Sequence, residues 1–197
     1  MSVIDSAIDS ASVGVPECFL PFDVLVERFE GMAVTPESAG RVVLLVTRGA
    51  GGRRECLDRV RLTATDGMPG DAWKRKTPDE PEAQLAVMQA DVATLIANGQ
   101  PLPLFGDNLF LDLDLSAANL PIGSRVRAGS AVLEVTPKAH NGCVKFKGRF
   151  GSDALRFVAH AERRARNLRG IYLRVIEDGD VAVGDAVAVV TRTARGD

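Results

Sequence analysis

Between Pro137 and Gly151 the chain reads PKAHNGCVKFKGRFG, which gathers His140, Cys143, Lys145, Lys147 and Arg149 into ten residues. A cysteine attacks or binds metal as its thiolate, and neighbouring Lys, Arg or protonated His favours that form. Gly142 lets the backbone turn tightly before Cys143, so the sulfur is expected at the lip of a pocket instead of in the core. Several roles are open to such a thiol: ligand of a soft metal, nucleophile of a hydrolytic Cys-His dyad with His140, or small buried hydrophobe. A structural zinc site normally takes four Cys or His ligands. The HxxC pair His140 and Cys143 has only His160 left to join it among histidines, so no convincing set exists. For His140 the plain alternative is a loop residue bonded to backbone.

Elsewhere the chemistry is sparser. Phe105-Gly106-Asp107-Asn108-Leu109 puts a carboxylate and an amide in what reads as a turn, with Asn108 or Asp107 as candidates for a pocket. Gly67-Met68-Pro69-Gly70-Asp71 reads as a loop with two glycines. Cys18 and Cys56 lack a comparable setting, although Arg53 and Arg54 lie near Cys56. Three cysteines at wide, irregular spacing argue against a disulfide framework, so reduced thiols are expected.

The elements that must position these groups are mostly short and β-like. Val42 to Arg48, Leu57 to Thr63, Leu109 to Leu115, Ala131 to Thr136, Ile171 to Ile176 and Ala186 to Val190 are apolar runs punctuated by glycine, a spacing that suits a barrel or a sandwich. LFLDLDL ends with the period-two alternation of a half-buried strand. Ile122-Gly123 and Val183-Gly184 each precede such a run and predict one recurring glycine turn. Helical periodicity predicts a helix from about Pro81 to Asn98, stopped by Gly99. A second is predicted from Ser152 as N-cap to Leu168, ending at Gly170, with Arg156, Arg163, Arg164 and Arg166 on its other face.

A chain of 197 residues can bury one sizeable core, and 46% hydrophobic with 25% charged residues is ordinary for a globular protein. No apolar run approaches the roughly 20 residues of a membrane span, so membrane insertion is not expected. Met1 to Ser12 has two Asp and no basic residue, unlike a secretory or mitochondrial leader, and is read as a mobile tail of a cytoplasmic protein. Net charge is −2, but Pro121 to Arg174 holds 12 Lys or Arg against Glu134, Asp153 and Glu162, an excess of +9. That excess predicts an anion-attracting region. Nucleic acid is not the expected partner, because few aromatics lie among the charges and the sequence is acidic overall.

Taken in order, VRLTATDGMPGDAW, FGDNLFLDLDL, IGSRVRAGSAVLEVT, HNGCVKF and LRGIYLRVIEDGDVAVGDAV resemble the MOSC family, named for the C-terminal domain of molybdenum cofactor sulfurase. The likeness runs from about Arg59 to Val190. It implies a mainly β fold: a twisted antiparallel β-barrel like that of pyruvate kinase, with a few peripheral helices, as one domain over residues 41–192 after an N-terminal extension of 1–40. It implies that Cys143 is the catalytic residue and the metal ligand, as in the amidoxime-reducing relatives, where the aligned cysteine binds molybdenum carried by a pterin cofactor and N-hydroxylated compounds are reduced. Asn108, His140, Lys145, Lys147 and Arg149 are then expected to bind that cofactor. Two further functions stay open: a sulfur carrier holding a persulfide on Cys143, and a non-catalytic module for an anionic metabolite. No flavin motif or iron–sulfur cysteine set is present in the sequence, so a separate electron-donor or sulfur-donor protein is expected beside a small-molecule substrate. Pyridoxal phosphate is not expected, since no part of the chain resembles the sulfurase domain that binds it. Asp107 stands where the family usually has Glu, and Gly142 where many members have Pro.

Overall fold

Each of the six apolar runs overlaps a strand in the computed structural model, which describes residues 8–9 and 11–193. The tail read over Met1 to Ser12 therefore lies largely outside the described residues. The strands are β1 (Ala39–Arg48), β2 (Arg54–Leu57), β3 (Arg59–Leu62), β4 (Leu85–Gln89), β5 (Leu109–Leu111), β6 (Arg125–Ala128), β7 (Ala131–Val135), β8 (Ile171–Glu177), β9 (Gly179–Ala182) and β10 (Ala186–Thr191). The helices are α1 (Phe22–Glu30), α2 (Ala72–Lys76), α3 (Ala90–Ala97) and α4 (Val144–Ala159). None is long and apolar enough to cross a membrane.

Seven strands close into a barrel in the order β1-β5-β4-β8-β7-β6-β10, and β10 returns to β1 through the Ala39–Ala188 to Arg41–Ala186 register. β2 extends β1 outside the ring, and β3 pairs with β9 as a separate ribbon. The barrel is mixed where antiparallel pairing was expected, because β4 and β5 run parallel, with Val87 opposite Leu109. The physical reason is the connection: α3 carries the chain back across the barrel wall between them, as a parallel pair requires.

Two apolar layers share the barrel wall. Val42, Leu45, Leu85, Val87, Leu109 and Leu111 fill the lumen, while Val46, Met88 and Phe110 face a second layer made with the helices. This explains why the helix expected over Pro81 to Asn98 is found as a short 3-10 turn (Pro81–Ala83), then β4, then α3. β4 is buried on both faces, so LAVMQ shows no alternation, and its continuous apolar run matches a helical face equally well. The stop was legible: Asn98 and Gly99 both have positive φ. The run Leu109 to Leu115 pairs only through Leu111, though Leu113 and Leu115 remain buried and keep its alternation. Leu57 to Thr63 is divided at Asp58 between β2 and β3.

The second expected helix begins earlier, at Val144, and kinks at Gly151 (φ 90°, ψ 167°), so Ser152 follows the kink and opens the second half. Phe146 and Phe150, four apart, turn to the same buried face and pack on Phe105, with ring centroids 6.0 and 4.1 Å away. Phe157, beyond the kink, meets Phe22 and Phe29 of α1 edge-on at 6.5 and 5.7 Å. These anchors fix the start of α4 against the barrel, and Cys143 is its N-cap residue.

Candidate functional site

The end of β1, the start of β2, α2, the first turn of α4 and β8 surround a cleft of about 320 Å³. Its walls carry Arg48, Arg54, Lys76, Lys138 and Lys145 together with Trp73 and Tyr172. Glu80 is the only carboxylate in the lining among the described residues, and it is already paired with Lys138. The cleft is therefore a cationic hollow with two aromatic walls, of a kind that selects an anion carrying a flat, partly apolar body.

Asp71 sets the position of Arg48. It is 1% exposed and caps α2 by accepting from the Trp73 amide at 2.9 Å. It also accepts from the Arg48 amide at 2.8 Å and from Arg48 Nε and Nη2 at 2.9 and 2.6 Å. Burial alone would raise the Asp71 carboxyl, but the Arg48 guanidinium bonded to it more than reverses this, and the group lies below its ordinary range. Asn108 completes the arrangement. Fully buried, it donates from Nδ2 to Asp71 at 2.9 Å and to the Val46 carbonyl at 3.2 Å, while its Oδ1 accepts from the Ala86 amide at 3.1 Å. Its amide thus ties β1, β4 and the Gly67 to Asp71 loop together.

Arg54 is held differently. Its Nη1 donates to the Gly52 carbonyl at 2.9 Å, but its Nε is buried without a partner among the described residues. Burial first, then the nearby Arg149 and Arg48, lower its guanidinium from the ordinary arginine range to about 10. Gly106, at φ 81°, is where a Cβ would come within 2.7 Å of Arg54 Nη2, so this glycine serves both the turn and the space for the arginine. A cation crowded by other cations and short of partners is stabilised by an incoming anion.

The cysteine segment is partly brought to this cleft. Cys143 is exposed, and its carbonyl accepts from the Lys147 amide at 3.0 Å, the first turn of α4. Lys145 lines the cleft, whereas Lys147 is exposed on the helix. Arg149 turns inward, 5% exposed, donates from Nε to the Ser12 carbonyl at 3.3 Å, and is near enough to both Cys143 and Arg54 for their charges to interact. His140 packs on Tyr172 with ring centroids 4.4 Å apart, its side chain 7% exposed. Burial, then Arg169 and Arg48, push its imidazole well below 6.5. Asp107 lies 3.6 Å from Nδ1 but does not restore the proton, because Arg169 Nη1 already holds both its oxygens at 2.8 and 3.0 Å. His140 is neutral at neutral pH.

Reading the sequence missed Arg48 and Tyr172 and passed over Arg54 and Asp71 as site residues. The signal for the arginines was the segment Thr47 to Arg54, TRGAGGRR, where basic residues and glycines close a strand. Nothing local marked Tyr172, whose place in the cleft depends on β8 lying beside β4.

Among the described residues no group of three or more His, Cys, Asp or Glu could hold a metal ion. Cys143 is thus the one soft donor the segment offers, a set that suits a metal arriving on an organic carrier and does not suit a bare ion. An anionic carrier of that kind also matches the cationic cleft, which Cys143 does not line but Lys145, two residues further on, does.

Comparison with known proteins agrees with this architecture. The MOSC domain family model matches residues 68–188. Among solved structures, the YuaD protein from Bacillus subtilis superposes with a TM-score of 0.59 at 20% identity, covering 76% of this chain and 94% of that one. YiiM from Escherichia coli gives 0.52 at 21% identity, covering 79% and 72%. At these identities the likeness is one of fold. No curated protein matches the sequence.

Proposed function

Since this chain belongs to the MOSC domain family, we propose that its cleft binds a molybdenum–pterin cofactor, with the Cys143 thiolate as the protein's ligand to the metal. The observation that carries the reading is Arg54, half-buried beside Arg48 and Arg149, its Nε buried without a partner among the described residues, next to a cleft whose single described carboxylate is already taken. A buried polar group left this way fits a site completed by its ligand. Arg48 and Arg54 would receive the anionic part of the cofactor, with Lys145 at the rim. Trp73 and Tyr172 would flank its flat body and keep water from it. Asn108 acts at one remove: it holds Asp71, and Asp71 holds Arg48.

When bound, such a cofactor supplies two-electron redox chemistry, which for an N-hydroxylated substrate means two electrons and two protons in, with the N–O bond broken and water released. His140, neutral and buried, stands beside the cleft wall formed by Tyr172 and adds no charge of its own there. The electrons would come from a separate donor protein.

The test is elemental analysis of protein purified without oxygen from a host that makes the cofactor. Molybdenum should copurify with the wild type and be lost in Cys143→Ala. The variant should keep its melting temperature, because an exposed side chain without a capping hydrogen bond contributes little to stability. Wild-type protein without molybdenum, carrying a persulfide on Cys143, would replace this reading with that of a sulfur carrier.

A further inference from the structure

Tyr172 lines the basic cleft, and the histidine packed against its ring lines two other cavities, of about 250 and 160 Å³. The two share Ala139, His140 and Asn167 as walls, so they adjoin along one loop. Their characters differ. The smaller is walled by buried Leu120, Val135 and Ile171, with Ile122 59% exposed at its edge. The larger carries Arg164 and Arg169 and has no carboxylate in its lining among the described residues. Arg169 is committed to Asp107, and Lys138, on the smaller cavity, to Glu80. Arg164 makes no ion pair with any described residue. The His140 side chain, common to both, is buried with no hydrogen-bond partner at Nδ1 among the described residues.

We propose that these two cavities form a second binding site, separate from the cofactor cleft, for an amphipathic organic anion: a small aromatic or branched carboxylate. Its apolar body would fill the chamber of Leu120, Val135 and Ile171, a space comparable with the cavity of about 150 Å³ that accepts benzene in a protein core. Its carboxylate would meet Arg164, the cation at this site that the fold leaves unneutralised. Opposite polarity at the two ends fixes the ligand's orientation, and the shared His140–Tyr172 wall lets occupancy be felt in the cleft.

The probe is cinnamate, with cinnamyl alcohol as its uncharged control, titrated into the full chain by calorimetry at physiological salt. Saturable binding at one site is expected, about tenfold tighter for cinnamate than for the alcohol. Arg164→Gln should remove that difference and leave the alcohol unchanged. Ile122→Asp should weaken both. Both residues reach solvent, so neither variant threatens the fold. Cys143→Ala and Lys145→Gln, both at exposed residues, should bind cinnamate as the wild type does, which separates this site from the cofactor reading. Absence of saturation at millimolar cinnamate would overturn the proposal, as would binding that Lys145→Gln abolishes and Arg164→Gln leaves intact.

Discussion

Asp71→Asn isolates one charge at the centre of the site. The side chain keeps its shape, and Asn is as good an N-cap as Asp, so α2 should keep its cap. What changes is the partnership with Arg48, which loses a carboxylate accepting its amide, Nε and Nη2, while the new amide also turns an NH2 toward existing donors. Removing one partner of a buried pair costs about 3–5 kcal/mol. The Arg48 side chain keeps 21% of its exposure at the cleft and can recover some hydration, so the lower end, about 3 kcal/mol, applies. For a chain of this size that corresponds to a fall of about 6–12 °C in melting temperature. The pH dependence has a definite sign. The folded Asp71 carboxyl lies below its ordinary 3.8, so its contribution is present above that pH and is lost as pH falls further. Circular-dichroism melts should therefore show the gap between wild type and variant constant at neutral pH and narrowing below about pH 4. A loss under about 1 kcal/mol at pH 7 would refute the assignment of Asp71 as the anchor of Arg48.

Other outcomes follow from the same geometry. Alkylation by iodoacetamide at neutral pH should reach Cys143 faster than half-buried Cys18, and added salt or a Lys145→Gln, Lys147→Gln pair should slow it, because exposed charges act on it through solvent. That pair should change stability by less than about 1 kcal/mol, whereas Arg149→Gln should cost more, since Arg149 is buried and bonded to Ser12. His140 binds its proton more weakly folded than unfolded, so the protein should lose stability as pH falls below 6.5, by up to about 1.4 kcal/mol per pH unit. His140→Gln should flatten that slope in equilibrium denaturation, and an unchanged slope would mean the imidazole is not the responsible group.

What the sequence determined by itself was local chemistry with a short range. Glycine turns at Gly123 and Gly184, both at positive φ, the alternation of LFLDLDL and the crowding of cations around Cys143 are properties of neighbouring residues, and they could be read without a fold. β4 could not, because an all-buried strand and a helical face share one pattern of apolar residues, and only the second layer packed on Met88 decides between them. The anion site lay further out of reach. Arg48 and Arg54 come from β1 and β2, but Tyr172 comes from β8, more than a hundred residues further on, and the β1-β5-β4-β8 order of the sheet alone brings it to them. Even within one motif the tertiary structure divided the work: Lys145 and Arg149 lie four apart on α4, yet the packing of Phe146 and Phe150 on Phe105 leaves Lys145 at the cleft and draws Arg149 inward. Spacing along a helix states which residues share a side. Which side meets the ligand is settled by what the other face must bury.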